Sequence, residues 1–542
     1  MKKHPLAVGA SIALAASFAI PAHATDWLQF GYDTAHSGFN RDETGYPTAA
    51  GNTILYHYAL PTLSGTKGPG TVDGAPIYVG NVTTPAGTKN ILLGLTNNGT
   101  FYALDADSTT LNVLWSHRPT GTSPSTGSNT AGFGSGAIDP GLQYVYAYAF
   151  DGKIHKYQIG DGQDVGVDIA DANWPQVSTL KPEVEKGAAG LSIATAKNGN
   201  TYLYSVTDGY IGDANDYQGH VTAIDLGSGA QKVFNSMCSD KVIHFCNSAV
   251  SPPATCAAAN DCSSKQSGIW GRPGAIYDEG TDRVFITTGN GQYNASTGGL
   301  NWGDSVLALN PDGSGSGGGM PVDSYTPTTF QQLQNTDADL GSESIAIVPP
   351  PSGTAAAYQH IAVQAGKDGC VRLIRLDDMS GHGAPAHTGG EVAAVNLPGG
   401  SNCATGSDGP EIKPQPAVWV NPADGSSWIY VTSYSNGSAA YKIVLDGSGK
   451  PSLSQQWTAA SGTSPVVANG TVYYMAGSKL RALDAVTGTS KISGGDWNTT
   501  SFASQHWQSP ILVNGRVYLF DNANPSTLWV YQLDGVFKNG FN

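Results

Sequence analysis

The sequence predicts an all-β chain closed into a β-propeller of four-stranded antiparallel blades. Three observations lead there. Glycine supplies 70 of 542 residues and charged residues only 13%, a balance that disfavours long helices and suits short strands joined by turns. Two segments near the C-terminus, PVVANGTVYYMAGSKLRALDAVTG from Pro465 and PILVNGRVYLFDNANPSTLWVYQLDG from Pro510, share one plan. Each runs apolar strand, Asn-Gly turn, apolar strand, polar turn, and a third strand ending in Asp. That third strand then recurs along the whole chain, the mark of a repeat architecture.

In chain order, Lys2 and Lys3 precede the apolar run LAVGASIALAASFAI and the small-residue site Ala22-His23-Ala24. This pattern predicts a secretory signal over residues 1–24 and a single domain over 25–542, either periplasmic or secreted. No cysteine follows the cleavage site, and no later apolar run reaches the ~20 residues of a membrane span, so no membrane anchor is expected. Without the two lysines the formal charge falls from −15 to −17, which argues against nucleic acid and anionic membranes as partners. Next come DWLQFGYDTAHSGFN and TILYHYAL, Thr53 to Leu60. A propeller must close its ring, so TILYHYAL is expected to add a strand to the last blade, with the earlier segment lying across the closure.

The third-strand motif follows as NGTFYALDAD from Asn98, DGKIHKYQIGDG from Asp151, GHVTAIDLGSG from Gly219 and DSVLALNPDG from Asp304. It continues as GCVRLIRLDD from Gly369 and AAYKIVLDGSG from Ala439. With the two C-terminal copies the count predicts eight blades, or seven if one copy is spurious. Asn-Gly between apolar runs fixes hairpins, because a type I′ turn needs positive φ at both central residues. Six cysteines fit an oxidising compartment. Cys238, Cys246, Cys256 and Cys262 crowd one insertion and are expected to pair locally, and Cys370 with Cys403. The chain has no CxxC for a zinc site and no CxxCH for covalent haem.

YALDADSTTLNVLW, ending at Trp115, and RALDAVTGTSKISGGDW, ending at Trp497, carry an "AxD-TG-W" pattern, with a looser copy ending at Trp457. These segments resemble the repeats of the pyrroloquinoline quinone (PQQ) propeller family. The resemblance spans nearly all of residues 25–542. It implies tryptophans docked between blades and, in the catalytic members, PQQ and Ca²⁺ in the axial funnel. In IWGRPGAIYDEGTDRVFITTGN, Ile269 to Asn290, the family pattern places a quinone-stacking ring at Trp270 and a calcium ligand at Asn290. In TPTTFQQLQNTDADLGS it places the catalytic base at Asp339, with Asp337 as second choice. In AGKDGCVRLIRLDD it places a cation for the quinone oxygen at Lys367. The chemistry agrees with these residue types: a flat ring for stacking, oxygen donors for a hard cation, a carboxylate for the proton, and a cation for the developing oxyanion.

Departures are also present. The family's dehydrogenases carry adjacent cysteines over the quinone, followed by an arginine, and this chain has no Cys-Cys pair. A glutamate ligand is expected near VTDGYIGDANDYQG, which offers only Asp208, Asp213 and Asp216. Asp213 is the carboxylate expected to replace it, with the other two left open. The resemblance therefore implies an exported oxidoreductase acting on a small or polymeric alcohol or polyol, with an external electron acceptor. The alternative is a non-catalytic propeller that binds a protein or a glycan.

Overall fold

The computed structural model describes residues 26–45, 47, 54–61, 70–119, 134–210, 216–241, 244, 262–400, 403–492, 497–498 and 507–533. Their strands form eight antiparallel blades in a ring, so the count of eight rather than seven holds. The inner strands, in order, are Ile77–Thr84, Ala137–Ile138, Ser192–Thr195, Ile276–Asp278, Ala346–Val348, Ala417–Val420, Val466–Ala468 and Ile511–Val513. They open blades 1 to 8. The strand Ile54–Ala59 pairs antiparallel with Thr527–Gln532 and completes blade 8 from the N-terminal side, as expected, with His57 opposite Trp529.

Blade-to-blade contact explains the AxD-TG-W pattern. The indole of Trp115 ends blade 1 and donates its N–H to the Ile159 carbonyl of blade 2 at 2.8 Å. Its ring lies on Gly162, whose φ is +76° and where a Cβ would stand 2.6 Å from the indole. Trp457 repeats the arrangement on blade 7, donating to Ala485 at 3.1 Å over Gly488, again at positive φ. The turn glycine therefore meets two demands at once, a left-handed backbone and room for the neighbour's ring. Trp497 stacks on Tyr531 at 5.2 Å, carrying the series to blade 8.

The residues just before each inner strand link the ring at its axis. Ser135 Oγ donates to Ala75 O at 2.6 Å, the Leu191 N–H to Ser135 O at 3.0 Å, and Ser192 Oγ to Ala275 O at 2.8 Å. Ser344 Oγ donates to Gly274 O at 2.7 Å, Gln415 Nε2 to Ile345 O at 3.0 Å, and the Gln415 N–H to Ser464 Oγ at 2.9 Å. Ser509 Oγ donates to Ser464 O at 3.3 Å, and Gln508 Nε2 to Val72 O at 3.4 Å, which closes the circle back to blade 1.

Inner strands have one free edge, and its polar groups must be satisfied. Residues 27–40 do this by threading the axis. Trp27 exchanges two backbone bonds with Tyr78. Leu28 O accepts from Ile138, Gln29 Oε1 from Ile193 N, Thr34 O from Tyr277, Ser37 O from Val418, and Gly38 O from Val467. Asn40 Nδ2 donates to Leu512 O at 2.7 Å. The segment expected to lie only across the closure thus touches seven of the eight inner strands.

Candidate functional site

The loops that lead into and between strands at one end of the ring carry the residues singled out from the sequence. Trp270 lies just before the inner strand of blade 4, and Asn290 in the loop after Arg283–Thr287 of the same blade. Asp337 caps the short helix α1, Phe330–Thr336, in the left-handed region at φ 55°, and Asp339 follows it into blade 5. Lys367 lies in the turn between Ile361–Ala365 and Cys370–Arg375.

These residues meet. Lys367 Nζ is 2.5 Å from Asp339 Oδ2 and 3.3 Å from Asp337 Oδ1. The Asn290 N–H donates to Asp339 Oδ1 at 2.6 Å. Lys367 Nζ also stands 5.4 Å from the Trp270 ring centroid, within cation–π range. Gly289 explains the close packing. A Cβ there would fall 2.5 Å from Asp339 Oδ1 and 3.2 Å from Trp270 Nε1, and on the other side of Asn290 a Cβ on Gly291 would strike Ser267 and Met237. The asparagine is flanked by glycines because its neighbours must admit side chains. Asp213, the remaining predicted ligand, lies outside the described residues.

Burial pushes the Asp339 carboxyl above the usual carboxylate range, and the Lys367 ammonium pulls it back. Burial works against the Lys367 charge, but Asp339 and then Asp337 more than offset it and hold its pKa above the ordinary value. Asp337 itself is largely exposed and contributes from the rim. The disulfide Cys370–Cys403 forms as expected, three residues beyond Lys367, and the Gly409 N–H donates to Lys367 O at 3.1 Å. The second disulfide joins Cys238 to Cys262, inside the predicted cluster. Cys246 and Cys256 lie outside the described residues.

Three residues of the site were missed in the sequence. Asp304, buried and at φ 47°, accepts from the Leu340 N–H on Oδ1, and its Oδ2 has no partner among the described residues. Burial, then the Asp339 charge, pushes its carboxyl well up. Trp507 comes from the entry to blade 8, directly across the ring, and its ring packs edge-on against Trp270 at 5.8 Å. The Arg272 guanidinium lies 4.3 Å from the Trp507 centroid. Only Asp304 had a local signal, a charge just before an apolar strand. Trp507 and Arg272 are joined to the site by the ring alone.

No family model matches the chain, and no curated protein matches its sequence. Solved structures do match. A quinohemoprotein alcohol dehydrogenase from Comamonas testosteroni shares 16% identity with a TM-score of 0.58, over 96% of this chain and 82% of that one. The fold is that of the quinoprotein alcohol dehydrogenases. A second quinohemoprotein alcohol dehydrogenase, from Pseudomonas putida HK5, shares 14% identity with a TM-score of 0.57, over 96% of this chain and 81% of that one. A europium-containing methanol dehydrogenase gives 14% and 0.57, over 94% and 98%. At these identities the likeness concerns the architecture.

The site residues can be set against the two groups that the resemblance implied. A flat anionic quinone finds an aromatic ring in Trp270 and cations in Lys367 and Arg272, two of whose nitrogens are buried without an acceptor among the described residues. Calcium finds less. No three acidic, histidine or cysteine side chains gather as a metal site among the described residues, and the cation facing Asp339 is Lys367.

Proposed function

We propose that the chain is an exported quinoprotein-type oxidoreductase that oxidises an alcohol or polyol, small or polymeric, with PQQ at the propeller axis. The observation that carries this reading is the meeting of Trp270, Asn290, Asp339 and Lys367, which are separated by up to 97 residues in sequence, at one point of the upper face. When bound, the quinone supplies a two-electron acceptor for hydride from the alcohol carbon. Asp339 takes the hydroxyl proton on a carboxylate that the Asn290 N–H and Lys367 hold in place. Lys367 places positive charge where an oxyanion would develop. Electrons then pass to an external acceptor. The two disulfides support the export reading. No step is assigned to calcium.

The test is titration of PQQ into the purified protein, with and without calcium, followed by an alcohol screen with an artificial electron acceptor. Saturable binding and turnover are expected. Asp339→Ala should retain binding and lose turnover by about 10²–10⁴-fold, the usual contribution of a general base. Two contacts favour a second reading, a non-catalytic propeller binding a protein or glycan on this face. Trp270 already packs against Trp507, and Asp339 is already paired with Lys367. Absence of PQQ binding at any calcium level would leave that reading in place.

A further inference from the structure

A cleft of about 620 Å³ opens beside Asn290, outside the group that meets at Asp339. Three segments line it: residues 263–266, residues 291–293, and α1 through Phe330, Gln331 and Gln334. Two of them run straight into the site. Gln292 stands two residues after Asn290, and Gln334 five before Asp339. The third is bonded to it, since the Ser267 N–H donates to Asn290 O at 2.7 Å.

Lys265 is the one charged residue among those lining the cleft, and it is exposed. The remaining side chains are amides, hydroxyls and two aromatic rings, Tyr293 and Phe330, packed edge to face at 4.8 Å. A buried network sets the direction of the amides. The Cys238 N–H can only donate, and it donates to Asn301 Oδ1 at 2.9 Å. Asn301 Nδ2 must therefore point the other way, where it donates to Ser264 Oγ at 3.0 Å and Gln292 Oε1 at 2.7 Å. Gln292 keeps its Nε2 protons and Ser264 its hydroxyl proton, both at the cleft. Gln334 Oε1 is enclosed and has no partner among the described residues, an acceptor that a turn of the amide toward a ligand would satisfy. Donors and acceptors interleaved beside aromatic rings, with almost no charge, match hydroxyl groups, each of which is donor and acceptor at once.

The strip that forms one side is held in an unfavourable shape. Gln266 and Ser267 both lie in the left-handed region, at φ 76° and 58°, where residues with a Cβ rarely sit. Gln266 is fixed there from both sides, its N–H donating to Tyr217 O at 2.7 Å and its carbonyl accepting from Gly219 at 3.1 Å. The Cys238–Cys262 disulfide ties the strip to the Asn301 network. Strain maintained in this way points to a binding role.

We propose that this cleft is a saccharide subsite, which makes a neutral oligosaccharide the alcohol of the adjoining site. That the sugar is oxidised rests on the oxidoreductase reading; that the cleft binds it does not.

The experiment is titration of maltotriose, cellotriose, xylotriose and mannotriose into the protein without added PQQ, by saturation-transfer NMR and calorimetry. At least one should bind, with an affinity that ignores salt, and trigalacturonate should bind no better. Gln292→Leu and Gln334→Leu should each weaken that binding by roughly three- to tenfold, the loss of one neutral hydrogen bond. Gln143→Leu, in a cleft between blades 1 and 2, is the control and should change nothing. Gln292 is exposed, so its variant should fold with an unchanged thermal midpoint. Failure of all four sugars to bind, unchanged binding in Gln292→Leu, or PQQ-dependent oxidation of small alcohols alone overturns the proposal. The last of these spares the oxidoreductase reading. Glutamine-dependent sugar binding, with no alcohol oxidised once PQQ is supplied, upholds the subsite and removes that reading.

Discussion

His155 shows what single side chains do here outside the site. It is buried in blade 2 between two carboxylates, Nδ1 2.7 Å from Asp164 and Nε2 3.1 Å from Asp151. Burial alone would lower its pKa, but the two carboxylates overcome this and hold it at about 9. The folded value exceeds the ordinary 6.5, so the stabilisation is complete below about pH 6.5 and is lost as pH rises through about 9. Comparing urea midpoints of wild type and His155→Gln from pH 6 to 10 should show a wild-type advantage on the order of 2–3 kcal/mol at the acid end, vanishing at the alkaline end. A constant difference across that range would mean the imidazole is neutral throughout. On the face where they meet, Trp270, Asn290, Asp339 and Lys367 could be singled out beforehand because each sits in a distinctive local pattern. Arg272 could not, since an arginine in a Gly-Arg-Pro-Gly turn reads as a surface residue until the ring closes over it.

Between neighbouring elements, the interblade tryptophans suggest a sharper measurement. Gly162→Ala forces a Cβ into a left-handed position and against the Trp115 indole. It should cost about 1–3 kcal/mol, more than the ~1 kcal/mol of an unstrained backbone penalty alone. In a Trp115→Ala background the part due to the clash should disappear, so a double-mutant cycle in denaturant separates ring contact from backbone strain. Strand identity was readable from Asn-Gly turns and apolar runs. The links at the axis were not, because Ser135, Ser344, Gln415, Ser464 and Gln508 each look like an ordinary polar residue before a strand. Their meaning lies in bonds to a neighbour 49 to 70 residues away, or, for Gln508, 436 residues away.

For the whole molecule, the closing strand is the clearest liability. Deleting residues 54–60 would strip Thr527–Gln532 of its outer partner, leaving only Arg516–Phe520 beside it, and expose an edge. The loss should exceed the roughly 5 kcal/mol of a severe core truncation, and size-exclusion chromatography should show self-association through the open blade. An unchanged elution volume and an unchanged midpoint would mean that the axial links alone hold the ring. Eight blades and their closure could be counted in the sequence because each blade repeats one hairpin grammar. The path of residues 27–40 could not, since its partners are backbone groups that carry no sequence signature. That path also imposes a schedule. The segment precedes every blade, yet Asn40 bonds Leu512, 472 residues later. The axis therefore cannot be filled until the last blade exists, so folding should be slow and late.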